Sequence, residues 1–443
     1  MSWWSDILAV YAVSEVAFYI WFRYRLSQSQ GPGNSPAVSF AVRDSLVTRT
    51  LQLAKKYGVK QVLSGWFIDP STGEPPICGK ISGNIDEFLS WAFSHKKFHA
   101  LSEKEQAWVK KTEQRIINEF PYEIFTPEKN GKLIAHTIDP VIAQPRPLIM
   151  YAFIASTKIA AYTALLYQGF RIGKFKQINY WYKTSKPERV PLKSPVSSPI
   201  SEATTEIAED SEPNPFLNGN FSNECSDESL VFFHGIGPGL APYLSLVRHF
   251  PPNALIIELP WVAMSLGACP PTDAVAWTDE VLQLFDKLGF RRIILAGHSY
   301  GSVPIAWLLR RRPDLNCRVV LIDPVTLYLN TPKVCYSFLY EQPKSATMRF
   351  VRKWAAEEFG ISYTLRRAFF WTDCVMFAED LPSGSHVFLS GNDHIVPVDI
   401  VREECMKACH ITTHVFDKAG HGWPCIFPSY AKIVAKAINN TDK

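Results

Sequence analysis

No lysine- and arginine-rich run stands out in the 443 residues, and the formal net charge is only +4. A nucleic-acid partner needs a basic patch to meet the phosphates, so none is expected here. No CxxC pair occurs among the nine cysteines, and their number is odd. These features argue against both a zinc site and a disulfide framework. Free thiols in a reducing compartment are expected instead, including Cys405 and Cys409, which stand one helical turn apart. Internal repeats are absent, and neither a metal nor a cofactor is expected. Apolar residues are abundant: 47% are hydrophobic, which excludes global disorder and allows a large core. The length suffices for more than one structural unit.

The N-terminal flank has no basic residues and holds Asp6, and no small-residue cleavage site follows. That disfavours a secretory signal. Ile7 to Phe22 is apolar except for Ser14 and Glu15, with Trp3 and Trp4 before it and Tyr24 between Arg23 and Arg25 after it. As a helix, this stretch is long enough to cross a hydrocarbon core of ~30 Å, with aromatic rings at both interfaces. Glu15 opposes insertion by ~2–3 kcal/mol. Residues 1–26 are therefore expected to form a single-pass anchor, with shallow interfacial insertion as the alternative. The basic residues after the span place the bulk of the chain in the cytoplasm.

Residues 27–36, SQSQGPGNSP, read as a flexible break. A helical accessory region is expected over 37–171. Within it, Ser102 and Glu105 form a capping box for a helix running to about Phe120, and residues 69–73 form a turn. The same region contains a second apolar stretch, 148–170, with Lys158 near its middle and Arg171, Lys174 and Lys176 after it. Two consecutive spans cannot both leave basic residues in the cytoplasm, so this stretch is expected to lie at an interface or pack on protein.

Residues 172–184 are rich in β-formers and suggest an early hairpin. Ser, Pro, Glu, Asn and Asp dominate 186–229, which reads as a disordered loop with two Ser-Pro steps, at Ser194 and Ser198. After Leu230, short apolar strands alternate with helices: strands at 230–234, 254–258, 292–296, 318–322 and 387–390, and helices at 273–288 and 303–311. Such alternation builds a mostly parallel sheet with helices on both faces.

The strand Arg292–Ala296 runs into Gly297-His298-Ser299-Tyr300-Gly301, and a helix follows. A serine on a tight strand-to-helix turn exposes its hydroxyl, and the helix N-terminus behind it favours developing negative charge. The first strand ends in His234-Gly-Ile-Gly-Pro-Gly239. Further on, Asp393 and then His421 each lie on a glycine-containing loop after an apolar strand. With these motifs in this order, residues from about 172 to 440 resemble the α/β-hydrolase superfamily, whereas the first 170 residues do not.

The resemblance implies an α/β-hydrolase domain over 172–443. It implies Ser299 as nucleophile, His421 as base and Asp393 as the acid, preferred to Asp323 after the preceding strand. The oxyanion hole would use backbone N–H groups of Tyr300 and of Ile236 or Gly237, with His234 holding the loop shape. His394, His410 and His414 are expected bystanders. The insertion 325–382, aromatic and basic, stands where the superfamily places its lid. The expected activity is hydrolysis of lipid-like acyl esters by a membrane-held serine hydrolase. An acyltransferase or thioesterase would use the same triad, and a non-catalytic binding protein on this scaffold would have lost a member of it.

Overall fold

In the computed structural model, which describes residues 3–33, 37–75, 84–121, 131–184 and 228–440, the apolar runs after Leu230 become the centre of an eight-stranded sheet. A hairpin opens it: β1 (Arg171–Phe175) and β2 (Ile178–Lys183). Then come β3 (Glu228–Phe233), β4 (Ala254–Ile257), β5 (Arg292–His298), β6 (Cys317–Ile322), β7 (Ser385–Ser390) and β8 (Ile411–Phe416). The spatial order is β8-β7-β6-β5-β3-β4-β2-β1. Strands β3 to β8 pair in parallel, and the hairpin joins the β4 edge antiparallel. Central strands must be apolar on both sides because helices cover both faces; Leu230 to Phe233 and Val319 to Ile322 are accordingly buried throughout.

The helices flanking the chemistry are α6 (Ala274–Lys287) and α7 (Ser302–Arg311), with α10 (Val398–Lys407) and α11 (Pro428–Ile438) nearer the C-terminus. Asp273 caps α6 by accepting from the Val275 and Ala276 N–H groups. Between β6 and β7 the insertion 325–382 is mostly helical. It contains α8 (Ala346–Val351), a π-helical turn Arg352–Ala356 and α9 (Phe359–Arg367).

The N-terminal region holds α1 (Trp3–Gln28), α2 (Phe40–Tyr57), α3 (Ile85–Ser94), α4 (Glu103–Glu119) and α5 (Leu148–Tyr167). The Ser102–Glu105 capping box is present on α4. This region does not pack as an independent body. One continuous core runs from Leu46 through Trp91 and Trp108 into Phe369, Leu389 and Cys405. Polar ties reinforce it: Trp371 Nε1 donates to the Ala92 carbonyl at 2.8 Å, and Arg49 makes a two-pronged contact with Asp380.

Residues 29–33, expected within a flexible break, are docked instead. The Arg367 guanidinium donates to the Ser29 and Gln30 carbonyls, and a Cβ on Gly33 would lie 2.0 Å from the Arg367 carbonyl oxygen. An arginine hundreds of residues away supplies order that local composition could not indicate. Residues 185–227, including Ser194, Ser198 and Asn220, lie outside the described residues, as do Cys78 and Cys225. The seven described cysteines are free thiols.

Candidate active site

Strand β5 delivers Ser299 to the carboxyl edge of the sheet in a left-handed conformation, φ 52°. That conformation is costly for a residue with a side chain and is held here by its surroundings. The turn is tight enough to require its glycines. A Cβ on Gly301 would sit 2.1 Å from the Phe233 carbonyl oxygen, and one on Gly297 would sit 2.7 Å from the Gly301 oxygen. Helix α7 starts immediately afterwards, at Ser302.

The structure brings Ser299, His421 and Asp393 into one chain of hydrogen bonds. His421 Nε2 lies 2.9 Å from Ser299 Oγ, and His421 Nδ1 lies 2.5 Å from Asp393 Oδ2. Asp393 Oδ1 accepts from the Ile395 and Val396 N–H groups at 2.7 and 3.1 Å. Burial opposes charge on both members of the pair. For His421 the neighbouring Asp393 carboxylate, the hydrogen bond to it and the nearby Asp323 outweigh that effect, raising the imidazole to about 9. For Asp393 burial pushes upward, but His421 and the two backbone donors leave the carboxyl below its ordinary value.

Asp323 stands beside this pair at the end of β6, also with a positive φ of 44°, and is fully buried. It does not take the acid's place on His421, because its oxygens are already engaged. Oδ1 accepts from the Ser390 N–H at 2.7 Å, and Oδ2 accepts from the Ser390 hydroxyl at 2.9 Å and the Gly422 N–H at 2.8 Å. Burial raises its carboxyl to about 6. Asp323, Asp393 and His421 offer ligand atoms within 4.8 Å of one another, as a metal site would. Those ligand atoms are already engaged in the hydrogen bonds just described.

The loop after β3 faces Ser299. His234 Nε2 accepts from the Leu259 N–H at 2.9 Å, so Nδ1 carries the proton and donates to the Gly235 carbonyl. Its role here is to shape the loop. Tyr243, which carries no recognisable motif, ties the loop to the elbow: its hydroxyl accepts from the Gly235 N–H and contacts His298 Nδ1, both at 2.8 Å. Of the two alternatives for the loop's oxyanion donor, the Gly237 N–H already donates to the Val262 carbonyl at 3.0 Å, which favours Ile236. Ile236 and Tyr300, which follows Ser299, both border the cavity.

That cavity has a volume of about 710 Å³ and reaches Ser299 and His421. Its opposite wall comes from the 325–382 insertion, including Leu339, Met348, Phe350, Trp354 and Phe369. His136, from the N-terminal region, also lines it, with Nε2 at 3.0 Å from the Phe369 carbonyl and Nδ1 at 3.3 Å from Cys335 Sγ. No sequence signal pointed to His136, since only tertiary packing brings it there. Among the expected bystanders, His394 borders the cavity, His410 bonds to the Leu381 carbonyl, and His414 stacks on Phe388.

Residues 230–437 match the model of the alpha/beta hydrolase family. Protein ABHD8 of Bos taurus is 27% identical over 118 residues, covering 26% of this chain and 27% of that protein. The Homo sapiens protein of the same name is 28% identical over 103 residues, 22% of this chain and 24% of its own. The chain thus matches only about a quarter of the length of these relatives. Among solved structures, a bacterial membrane phospholipase A aligns with 66% of this chain and 92% of its own, at 14% identity and a TM-score of 0.40. Naproxen esterase of Bacillus subtilis aligns with 65% and 98%, at 13% identity and a TM-score of 0.38. Residues 230–437, with the strand order given above, are thus the part of the chain that matches the alpha/beta hydrolase family.

Proposed function

We propose that the protein is a membrane-associated serine hydrolase that cleaves lipid-like carboxylic esters through an acyl-enzyme. The observation that carries this reading is the Ser299–His421–Asp393 chain opening on a largely apolar cavity. Ser299 Oγ attacks the ester carbonyl carbon while its proton passes to His421 Nε2. The N–H groups of Ile236 and Tyr300 receive the oxyanion, each worth about 3–4 kcal/mol in the transition state. Asp393 holds the imidazolium and fixes its tautomer. Collapse of the tetrahedral intermediate expels the alcohol, which takes the proton from Nε2; water then repeats the sequence and releases the acid.

In this reading the 325–382 insertion acts as a lid, and its apolar wall takes the acyl chain. The apolar α1 supports membrane association, being long and apolar enough to cross a bilayer. Arg23 and Arg25 at its C-terminal end, together with the free thiols, favour a cytoplasmic catalytic domain. The sequons at Asn220 and Asn439 are then expected to carry no glycan.

A fluorophosphonate probe tests the nucleophile. It is expected to label the wild-type protein and to fail on Ser299→Ala, and lipid profiling of cells carrying each form would name the ester that accumulates. Undiminished labelling of Ser299→Ala would assign the nucleophile to another residue and overturn the mechanism.

A further inference from the structure

Helices α1 and α5 distribute their polar groups in the opposite sense to helices on a water-facing surface. Lys158 is the sole charged residue of α5, and it points inward: its Nζ donates to Ser265 Oγ at 2.6 Å, and its stem packs over Gly239. The outward face of α5 bears Ile149, Phe153, Ile159, Leu166 and Tyr167, 57–94% exposed, and no charge along the whole helix. Its outward hydroxyls are satisfied within the helix, Ser156 by the Phe153 carbonyl and Thr163 by the Ile159 carbonyl. Hydrocarbon requires that internal pairing and water does not.

The same inversion occurs on α1. Glu15 turns inward and accepts from the Leu148 N–H at 2.7 Å, which sets a carboxylate at the positive end of α5. The expected cost of a mid-helix acid in lipid is therefore lowered, because Glu15 serves as the cap of a neighbouring helix. Around it, Val10, Val13, Val16 and Ile20 are 60–69% exposed. Ser14, also outward, bonds to the Val10 carbonyl.

Neither helix is positioned to cross a bilayer. From Tyr11, which reaches Glu15 and the Ile149 backbone, α1 is docked on protein. Phe18 meets Tyr151 and Phe22 meets Phe359 of α9. Only Trp3–Val10 project further, about 12 Å at 1.5 Å per residue, against ~30 Å of hydrocarbon. The inner face of α5 is covered too: Leu165 is fully buried in the core that includes Trp181, Leu240 and Tyr243.

We infer that α1 and α5 form a single lipid-embedded platform that enters the bilayer from one side, with the Trp3 end of α1 on the same side as the catalytic domain. Arg23 and Tyr24, both exposed, lie at headgroup level. The platform abuts the cavity wall, because Trp354 lines the cavity and packs against the cluster of Phe18, Met150 and Tyr151. This inference deepens the proposed function and rests on its membrane association, but replaces the single-pass anchor with one-sided insertion.

The test uses the full chain in sealed membranes, with one epitope tag before Trp3 and another after the catalytic domain. Protease added from the cytoplasmic side is expected to remove both tags. Protection of the first tag alone would overturn the inference by showing that α1 spans, while leaving the hydrolase reading intact. Separately, Phe153→Asp with Ile159→Asp is expected to lower the fraction bound to phosphatidylcholine–phosphatidylserine vesicles at least tenfold, with the thermal midpoint retained. Unchanged binding of that folded variant would overturn the α5 contact. Failure of the wild-type protein to bind vesicles would overturn the membrane association and this inference together, whereas failure of the fluorophosphonate to label Ser299 would strike only the hydrolase reading.

Discussion

The two walls of the cavity are made of opposite materials. The wall carrying Ser299, His421 and Asp393 is the carboxyl edge of a parallel sheet, where buried polar groups hold one another through short hydrogen bonds. The facing wall is built from side chains of the 325–382 insertion and from His136, with π-helical turns at Tyr336–Tyr340 and Arg352–Ala356 and with Phe350 63% exposed. Atoms that must be placed to a fraction of an ångström sit where backbone geometry fixes them. In the proposed function, groups that only have to exclude water and accommodate a chain sit on short helices. The contrast separates reaction from selectivity, and each wall can be perturbed on its own.

The most severe perturbation strikes the support of the apolar wall. Deleting 37–147 removes part of a core shared with Phe369, Trp371 and Leu389. No soluble folded protein is expected, as read by circular dichroism and gel filtration. A folded, active deletion product would show that the region is a separable accessory.

On the polar wall, His421→Ala is expected to lower kcat by about 10⁶-fold, as removal of a base that acts as a unit with its nucleophile does. Asp393→Asn is expected to cost on the order of 10²–10⁴-fold, through loss of the correct tautomer. Asp323→Asn is expected to cost less, because Asp323 braces Ser390 and Gly422 rather than His421. A larger loss for Asp323→Asn would exchange the two assignments.

The pH profile sharpens the same comparison. His421 works as a base only when neutral, so kcat/KM is expected to fall as pH drops below about 9. Without the Asp393 carboxylate the imidazolium loses its stabilising charge, so Asp393→Asn is expected to shift that limb to lower pH while reducing the plateau. A limb unmoved by the substitution would place the titration elsewhere.

The smallest effect belongs to the apolar wall. Trp354→Ala is expected to change the preference among acyl chain lengths by about 10-fold, the scale of one or two methylenes in an apolar pocket, with little change in fluorophosphonate labelling of Ser299. Equal losses on all chain lengths would mean that Trp354 positions the reacting groups.

The polar wall was legible in the sequence because its signals are local. Gly297-His-Ser-Tyr-Gly301 is a turn whose geometry depends on its own glycines, and the strands before Asp393 and His421 announce themselves by apolar runs. The apolar wall and its supports were not legible. Tyr243 acts on His298 across 55 positions, His136 meets Cys335 across 199, and Arg367 orders Ser29 across 338. Each depends on packing that no window of sequence contains. The proposed oxyanion donor was legible only as a pair, since the hydrogen bond from Gly237 to Val262 is tertiary. In the sequence Glu15 reads as an obstacle to insertion because its partner, the N-terminus of α5, lies 133 positions away.

Trp354 belongs at once to the cavity lining and to the apolar cluster joining α1 and α5. If substrate reaches Ser299 past this residue, the enzyme samples a two-dimensional solution, and the concentration that governs its rate is the mole fraction of ester in the membrane. Diluting that ester with inert lipid would then slow turnover even when the total amount of ester per volume is unchanged. Saturation would be reached by enriching the bilayer rather than the water around it.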